Sequence, residues 1–580
     1  MHAVKRRWFD VFLDAPARAG RAGALAGAGY AVLGGVLWVL ASPPIGLWPL
    51  GWLAAGPTLI AVDRAPTPRR AGLWGALTAM TFTIGGFPWM IHLLQVNARL
   101  PVPIAVFGLL VLGAIHGVVW LVAARLIRGL RDRRRDHKRG PWPLTVVGPL
   151  ALVVVEVALW TPFPFSMSIS QAGVGVLRSL SGFLGPAGIT ALMVAVPAAL
   201  LDATAHPPPG IKRRARWYPA IGVLALALVT FAGSRRITPD GPSRTVQIGV
   251  VQPNARVDVP LNVADRLRHL GELQRATAEL EARGADLVVW SEGAVPFELP
   301  REQTVDFEAS DRRRIRRGFT VPVVIGAITA YGRGDQWNSA ILLERDGRFT
   351  GRDDKVHRMI GSEYNPLLEW FPSLRSLMPE GAGSYAGGTA AVPLETTIDG
   401  AAVRIAVAVC LEDVLPDYGR ELAALEPDLL VNVTNDSWFG GAEPLQHEAL
   451  ARFRPVEIGV PMVRAVNTGP SSILDRDGNF LARTAIREDG GAPETLLADV
   501  TLGPRARTFY AGTGGTVIKV VAWAGLAWWL LPALVAWVRR RRGPSEAGAS
   551  VAVRPDAARR REQPVRGAGG RPGRGADKRR

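Results

Sequence analysis

The chain has 580 residues, of which 48% are hydrophobic and only 20% charged, and its mean hydropathy is +0.15. That balance excludes a disordered polymer and is high for a wholly soluble enzyme. The formal charge of +18, taken alone, would fit nucleic acid or an anionic membrane surface, and the single cysteine, Cys410, excludes an intrachain disulfide framework and a Cys-based zinc site.

In chain order, residues 1–22 form a basic N-terminal segment. Seven apolar runs of spanning length follow, near 23–41, 45–62, 72–93, 102–124, 142–160, 183–201 and 217–233, and an eighth lies near 517–538. The first run follows Lys5, Arg6 and Arg7, as a signal peptide would. It is long, lacks a small-x-small cleavage site and leads into further spans, so it reads as a retained helix. Lys and Arg alternate from loop to loop: five in 1–22, three in 64–70, eight in 125–140, four in 205–216 and fourteen in the tail 539–580. The intervening loops 42–44, 94–101 and 161–182 hold none, Arg99 and Arg178. By the positive-inside rule both termini are cytoplasmic and residues 234–516 lie outside, with Arg235 and Arg236 as a minor exception. The basic segments therefore explain the surplus charge as a topology signal, and nucleic acid is not expected as a partner. The tail is expected to be disordered, a basic anchor near anionic lipid.

Residues 234–516 are different in kind. They hold 31 Lys/Arg against 39 Asp/Glu, a net charge of −8. Apolar, β-branched runs predict strands at 245–252, 286–292, 321–329, 338–344, 403–410 and 428–435, buried on both faces. Helical patterns fall at 262–283, 308–318, 416–426 and 444–459. The expected fold class is an α-helical membrane bundle of about eight spans joined to an α/β layered domain with helices packed on sheets.

Three chemically different residues stand where these strands end. Glu292 closes DLVVWSE, Lys355 follows a strand and turn in GRDDKVHRM, and Cys410 closes RIAVAVC. Ligands of α/β sheets bind beyond the carboxyl ends of strands. A thiol, a carboxylate that takes its proton and an ammonium that stabilises an oxyanion suffice for acyl transfer through a thioester. That set needs neither a cofactor nor a metal, and no His-rich ligand cluster appears in the sequence. Each residue alone also has a bland reading: a small core hydrophobe, a cap carboxylate and a solvated turn charge.

The context is recognisable. Glu292 in VVWSEGAVP, Lys355 in DDKVHRMIGSEYNP and Cys410 in IAVAVCLEDVLPD, spaced 63 and 55 positions apart, resemble the Glu–Lys–Cys triad of the nitrilase superfamily. With NDSWFG at 435–440, SPPIGLWPLGW at 42–52 and spans on both sides of the domain, the chain resembles the apolipoprotein N-acyltransferases. The resemblance implies an αββα sandwich on a membrane bundle in the bacterial cytoplasmic (inner) membrane, with the catalytic domain periplasmic. It implies that Cys410 takes an acyl group from a phospholipid and passes it to the N-terminal α-amine of a diacylglyceryl apolipoprotein. Glu292 would be the base and Lys355 the oxyanion stabiliser, with Glu363 and Glu412 supporting them. The stretch 364–392, with Trp370 and Phe371, resembles the family's mobile arms. Its other reading is a surface loop with its own small cluster. Trp438 and Phe439 would line the acyl pocket or pack in the core. The sequence departs from the family's pattern at Ser291, at MIGSE (359–363), at Leu411 and in 253–262, which lacks an aromatic residue.

Three other readings stand beside this one. A membrane-tethered amidase would hydrolyse the same thioester with water. A transporter with a non-catalytic outer domain would need ionisable groups in its spans, where Glu156, His92, His116 and Lys519 are the few present. A catalytically dead relative would not need the intact set of three.

Overall fold

The computed structural model describes residues 14–17, 20–96, 99–135, 141–158, 161, 166–204, 217–234, 241–256, 261–332, 335–360, 362–365, 368, 370–371, 373, 385–487, 490–504 and 508–541. The basic tail beyond residue 541, the loop 205–216 and the segment 374–384 lie outside the described residues. The chain falls into two compact units, Met1–Trp529 and Leu530–Arg580.

All eight apolar windows contain helix. The helices are α1 (Gly20–Ala41), α2 (Gly51–Arg64), α3 (Pro68–Gly86) and α4 (Trp89–Val96), which share one window, α5 (Val102–Arg135), α6 (Leu144–Ala158), α7 (Ser181–Thr204), α8 (Tyr218–Gly233) and, in the last window, α13 (Gly515–Arg541). The expected count of eight spans is not confirmed. Among the described residues four helices are long and apolar enough to cross a membrane, or five if α3 and α4 together make one bent span. The reasons are local. The window near 45–62 starts in the Pro43–Pro44 turn, which leaves α2 only 14 residues, about 21 Å at 1.5 Å per residue against roughly 30 Å of hydrocarbon. The chain bends by 63° between α3 and α4. Pro88 there lacks an N–H, and Phe87 before it is pushed out of helical geometry. α6 and α8 are apolar but short.

Small residues let these helices touch. A Cβ on Gly75 of α3 would lie 2.6 Å from the Trp120 carbonyl oxygen of α5, so only glycine permits that crossing. The outward faces stay apolar: Leu73, Phe107 and Val118 are each at least 60% exposed, as a lipid-facing surface requires.

The second region is two sheets face to face. β1 (Arg244–Gln252), β2 (Leu287–Trp290), β3 (Leu299–Pro300), β4 (Val323–Ala330), β5 (Gln336–Leu343), β6 (Phe349–Asp354) and β13 (Glu494–Leu502) form one, in the order β13-β1-β2-β4-β5-β6 with β3 paired to β4. β7 (Leu394–Ile398), β8 (Ala401–Val409), β9 (Leu429–Thr434), β10 (Met462–Val466), β11 (Ser472–Leu474) and β12 (Phe480–Arg483) form the other, in the order β12-β11-β10-β9-β8-β7. Alternation along each strand sorts side chains between two cores. Val403, Ile405, Val407 and Val409 of β8 meet Val246, Ile248 and Val250 of β1 between the sheets. Val251, Val288 and Ile325 point outward against Leu270, Leu273 and Leu280 of α9 (Val263–Ala282). Ala406 and Ala408 point outward against Tyr418 and Leu422 of α10 (Pro416–Ala424) and Ile458 of α12 (Phe453–Ile458). This is a four-layer α/β sandwich. The helical pattern at 308–318 forms no helix. The Asp306 carboxylate instead accepts backbone N–H bonds from Ile315 at 3.0 Å and Arg316 at 2.7 Å, and folds the arginine run into a compact loop.

The sandwich is set into the bundle. Val414, Phe439, Ala449, Leu450 and Phe453 share one buried cluster with Phe82, Trp89 and Leu152 of the helices. α11 (Glu443–Ala451) forms the seat. Its Gln446 donates to the carbonyls of Pro43 at 3.0 Å and Gly86 at 2.8 Å, and accepts from the Trp89 indole at 3.0 Å.

Candidate active site

Three strand ends converge. Glu292 lies two residues beyond β2, Lys355 directly follows β6, and Cys410 directly follows β8. β4 runs beneath Glu292 at backbone contact: a Cβ on Gly326 would come within 2.2 Å of the Ser291 carbonyl oxygen and 2.6 Å of the Glu292 Cα. Cys410 opens the turn Cys410–Val414 with φ +56°, a left-handed conformation that L residues adopt at a cost and that marks sharp functional turns.

Polar contacts then lock the set. The Lys355 ammonium lies 2.7 Å from Glu363 and 3.9 Å from Glu292. The Asn338 amide on β5 bridges the two carboxylates, donating to Glu292 and, at 3.0 Å, to Glu363. The Cys410 thiol donates to Glu292. Glu412 ties the nucleophile turn to the lysine segment. One oxygen accepts the Val356 and His357 backbone N–H groups, each at 2.7 Å, and the other accepts that of Val409 at 2.8 Å.

Burial controls the electrostatics. It pushes the Glu292 carboxyl up; Lys355 opposes that and Glu363 adds to it. It also pushes the Cys410 thiol well up, assisted by the Glu292 charge and opposed by Lys355. Burial would raise Glu363 too, but the Lys355 charge and hydrogen bond hold it below its ordinary value. Burial alone would discharge the Lys355 ammonium; a Cys410 thiolate, when it forms, and the Glu363 and Glu292 carboxylates keep it charged. A neutral thiol thus sits beside a carboxyl poised to exchange a proton with it.

A cavity of about 670 Å³ reaches Val356 and Leu411, the chain neighbours of Lys355 and Cys410, without being lined by the set itself. Helix residues Phe82, Trp120 and Glu156 line one side, and Met359, Leu411 and Tyr418 of the sandwich line the other. His116 and Lys519, two of the ionisable groups noted in the apolar runs, also line it. Leu411, where the sequence departs from the family's pattern, presents an apolar side chain to that space. Ser291 is fully buried, and its hydroxyl has no hydrogen-bond partner.

Other expected contact residues lie elsewhere. Trp370 and Phe371 are 71% and 56% exposed and do not line the cavity. Leu367, Leu374 and Leu377 of that stretch are outside the described residues. Phe439 is buried edge-to-face on Trp89 at 5.6 Å, which is core packing, and Trp438 packs half-buried beside it. Two features escaped the sequence reading. Asn338 carries no motif signal. The other is a buried cluster behind the nucleophile, in which Asp436, Glu443 and His447 bring ligand-type atoms within 4.8 Å of one another. Its imidazole nitrogens already face Asp413 and Asp436, as in an ion-pair network.

Comparison with known proteins agrees with this layout. Residues 34–199 match the apolipoprotein N-acyltransferase N-terminal domain, and residues 247–508 match the carbon-nitrogen hydrolase domain. An apolipoprotein N-acyltransferase of Geobacter metallireducens is 30% identical over 529 residues, 88% of this chain and 95% of that protein. One from Rhodopseudomonas palustris is 28% identical, over 83% and 91% of the two chains. A solved amidase of the nitrilase superfamily from Nesterenkonia AN1 superposes with a TM-score of 0.34 at 20% identity, over 47% of this chain and 95% of that one. With its two matched domains in that order and relatives aligned along nearly their full length, the chain belongs to the apolipoprotein N-acyltransferase family.

Proposed function

We propose that this protein transfers a fatty acyl group from a membrane phospholipid to the N-terminal α-amine of diacylglyceryl-cysteine apolipoproteins, through a thioester on Cys410. One observation carries the choice of substrate. The cavity beside the Cys410 turn, lined by Leu411 and Val414, is walled jointly by apolar helices and sandwich, which suits a lipid acyl chain.

In the first half-reaction Cys410 Sγ attacks the ester carbonyl carbon while its proton passes to Glu292. The oxyanion that forms is stabilised by the Lys355 ammonium. Collapse breaks the ester C–O bond, and Glu292 returns the proton to the departing lysophospholipid oxygen. In the second half-reaction the acceptor amine attacks the thioester and gives a proton to Glu292. The C–S bond breaks, and the proton goes back to sulfur. Glu363 holds Lys355 in place, and Glu412 holds the two loops together. Trp370 and Phe371, both exposed, belong to a lid that meets lipid. The charge pattern of the loops supports cytoplasmic termini, a membrane region over 23–233 and 517–538, and a periplasmic catalytic domain over 234–516.

The test is intact-protein mass spectrometry after incubation with phospholipid vesicles. A fatty-acyl mass on Cys410, cleared by a diacylglyceryl peptide and absent from Cys410→Ser, is expected. Clearance by water at the same rate as by the peptide would instead identify an amidase-type hydrolase.

A further inference from the structure

The cluster behind the nucleophile takes no part in the chemistry above, yet it is built from five ionisable side chains. His447, on α11, is fully buried. Its Nε2 lies 2.7 Å from Asp413 and its Nδ1 lies 2.8 Å from Asp436. Arg464, on β10, donates to the other oxygen of Asp413 at 3.1 Å and lies 3.9 Å from Asp436. Glu443, one turn before His447, stands 3.8 Å from Nδ1.

An imidazole with a carboxylate on each nitrogen donates from both, so it is an imidazolium. Burial alone would discharge it, and Asp413 and Asp436 keep it well above its ordinary value. Burial and the Asp436 charge push Glu443 well up, toward its neutral form. Two cations then face two carboxylates. The set is balanced and buried, and removing one member strands a buried charge.

Its placement matters more than its balance. Asp413 belongs to the same five-residue turn as Cys410. Asp436 opens the turn after β9, and Asn432 of β9 donates to the Cys410 carbonyl at 3.0 Å. Gln446, the residue before His447, bonds the helical region at Pro43 and Gly86. Neighbouring residues of one helix therefore reach in opposite directions, to the nucleophile turn and to the bundle.

We propose that His447 is a positioning residue for the acyl-transfer reaction, fixing the left-handed Cys410 turn to the helix that seats the sandwich on the membrane region. The inference rests on the acyltransferase reading above. A nucleophile displaced by a fraction of an ångström loses alignment with ester and base, at a cost of about 10- to 100-fold in rate. Substrate binding in the cavity is left intact.

The experiment uses the full chain in vesicles of phosphatidylethanolamine and phosphatidylglycerol, with a diacylglyceryl peptide as acceptor. His447→Gln, which can donate to only one of the two carboxylates, is expected to lower kcat and the single-turnover rate of Cys410 acylation by about 10- to 100-fold. KM for the peptide should stay within about twofold. A merely structural residue would lower the melting temperature and leave kcat of the folded fraction unchanged. A folded His447→Gln protein with unsubstituted kcat overturns the proposal. Should His447→Gln not fold, Asp413→Asn decides. It keeps an acceptor for Nε2 and weakens the hold of Arg464. A reduced kcat at constant KM sustains the proposal, and an unchanged kcat overturns it. If the unsubstituted protein forms no Cys410 adduct, the acyltransferase reading falls and takes this inference with it. An adduct formed equally fast in both proteins removes only the inference.

Discussion

Two buried ionic clusters flank the Cys410 turn, and they are built on opposite principles. Around Lys355, one cation serves two carboxylates, and burial, with the Glu363 charge added, pushes Glu292 up. Around His447, two cations meet two carboxylates, and Asp413 is held below its ordinary value because His447 and Arg464 outweigh its burial. Neither cluster lines the cavity itself; Val356 and Leu411, the chain neighbours of Lys355 and Cys410, do. An under-compensated site can move a proton at little cost, whereas a compensated one resists change. On the acyl-transfer reading, reactivity and rigidity are thus divided between two faces of one turn.

Substitutions on the reactive face should remove rate, with little or much stability according to what is left buried. Cys410→Ala is the extreme case. It should abolish both the acyl adduct and turnover, and leave the melting temperature nearly unchanged, because the pocket loses one small atom. Retained transfer by that variant would sink the thioester route. Lys355→Met comes next. It strands Glu363 and Glu292 in a buried site, so we expect a loss of roughly 10²- to 10³-fold in acylation rate and about 3–5 kcal/mol of stability. It also carries a pH signature. Glu292 must be ionised to accept the thiol proton, and its raised value puts the acid limb of the rate profile above that of an ordinary carboxylate. Since Lys355 lowers Glu292, the limb should move further toward alkaline pH in Lys355→Met. A limb that stays put would separate Glu292 from the profile.

Gly326→Ala tests the scaffold beneath the reactive face without touching a charged group. The added Cβ meets the Ser291 carbonyl and the Glu292 backbone, so strand and base must part by several tenths of an ångström. The expected loss is about tenfold or more in acylation rate and about 1–3 kcal/mol in thermal unfolding.

The two regions of the chain were not equally legible. The six strands expected from apolar, β-branched runs all exist, because a strand buried on both faces writes an unbroken apolar run into sequence. β12, with three of its four residues exposed, and β7, which alternates buried and exposed, left no such run and went unseen. In the bundle the apolar windows marked helix correctly but overstated span length. Hydropathy does not sense the Pro43–Pro44 turn or the break at Pro88. Of the site, Glu292, Lys355, Cys410, Glu363 and Glu412 were readable because each sits in a local motif. Asn338 and the His447 cluster were not. Their partners are brought from distant elements by sheet order and helix docking, which a linear motif does not encode.

The smallest effect should come from Glu412, which belongs to the reactive face yet does a structural job. Its two oxygens accept three backbone N–H groups. In Glu412→Gln the amide oxygen can serve Val356 and His357, but the NH₂ then faces the Val409 N–H, donor against donor. That unmet bond costs about 1–3 kcal/mol. Burial pushes Glu412 up to about 7, above the ordinary 4.5. A carboxyl raised in this way contributes stability that is full below its unfolded value and is lost as pH rises through its folded value. The glutamine variant has no such titration. The gap in melting temperature between the two proteins should therefore narrow from about pH 5 to about pH 8, while acylation per folded molecule changes by less than about threefold. A gap that widens with pH would show that the ionised carboxylate is the favoured form there, and that the three N–H bonds outweigh its burial.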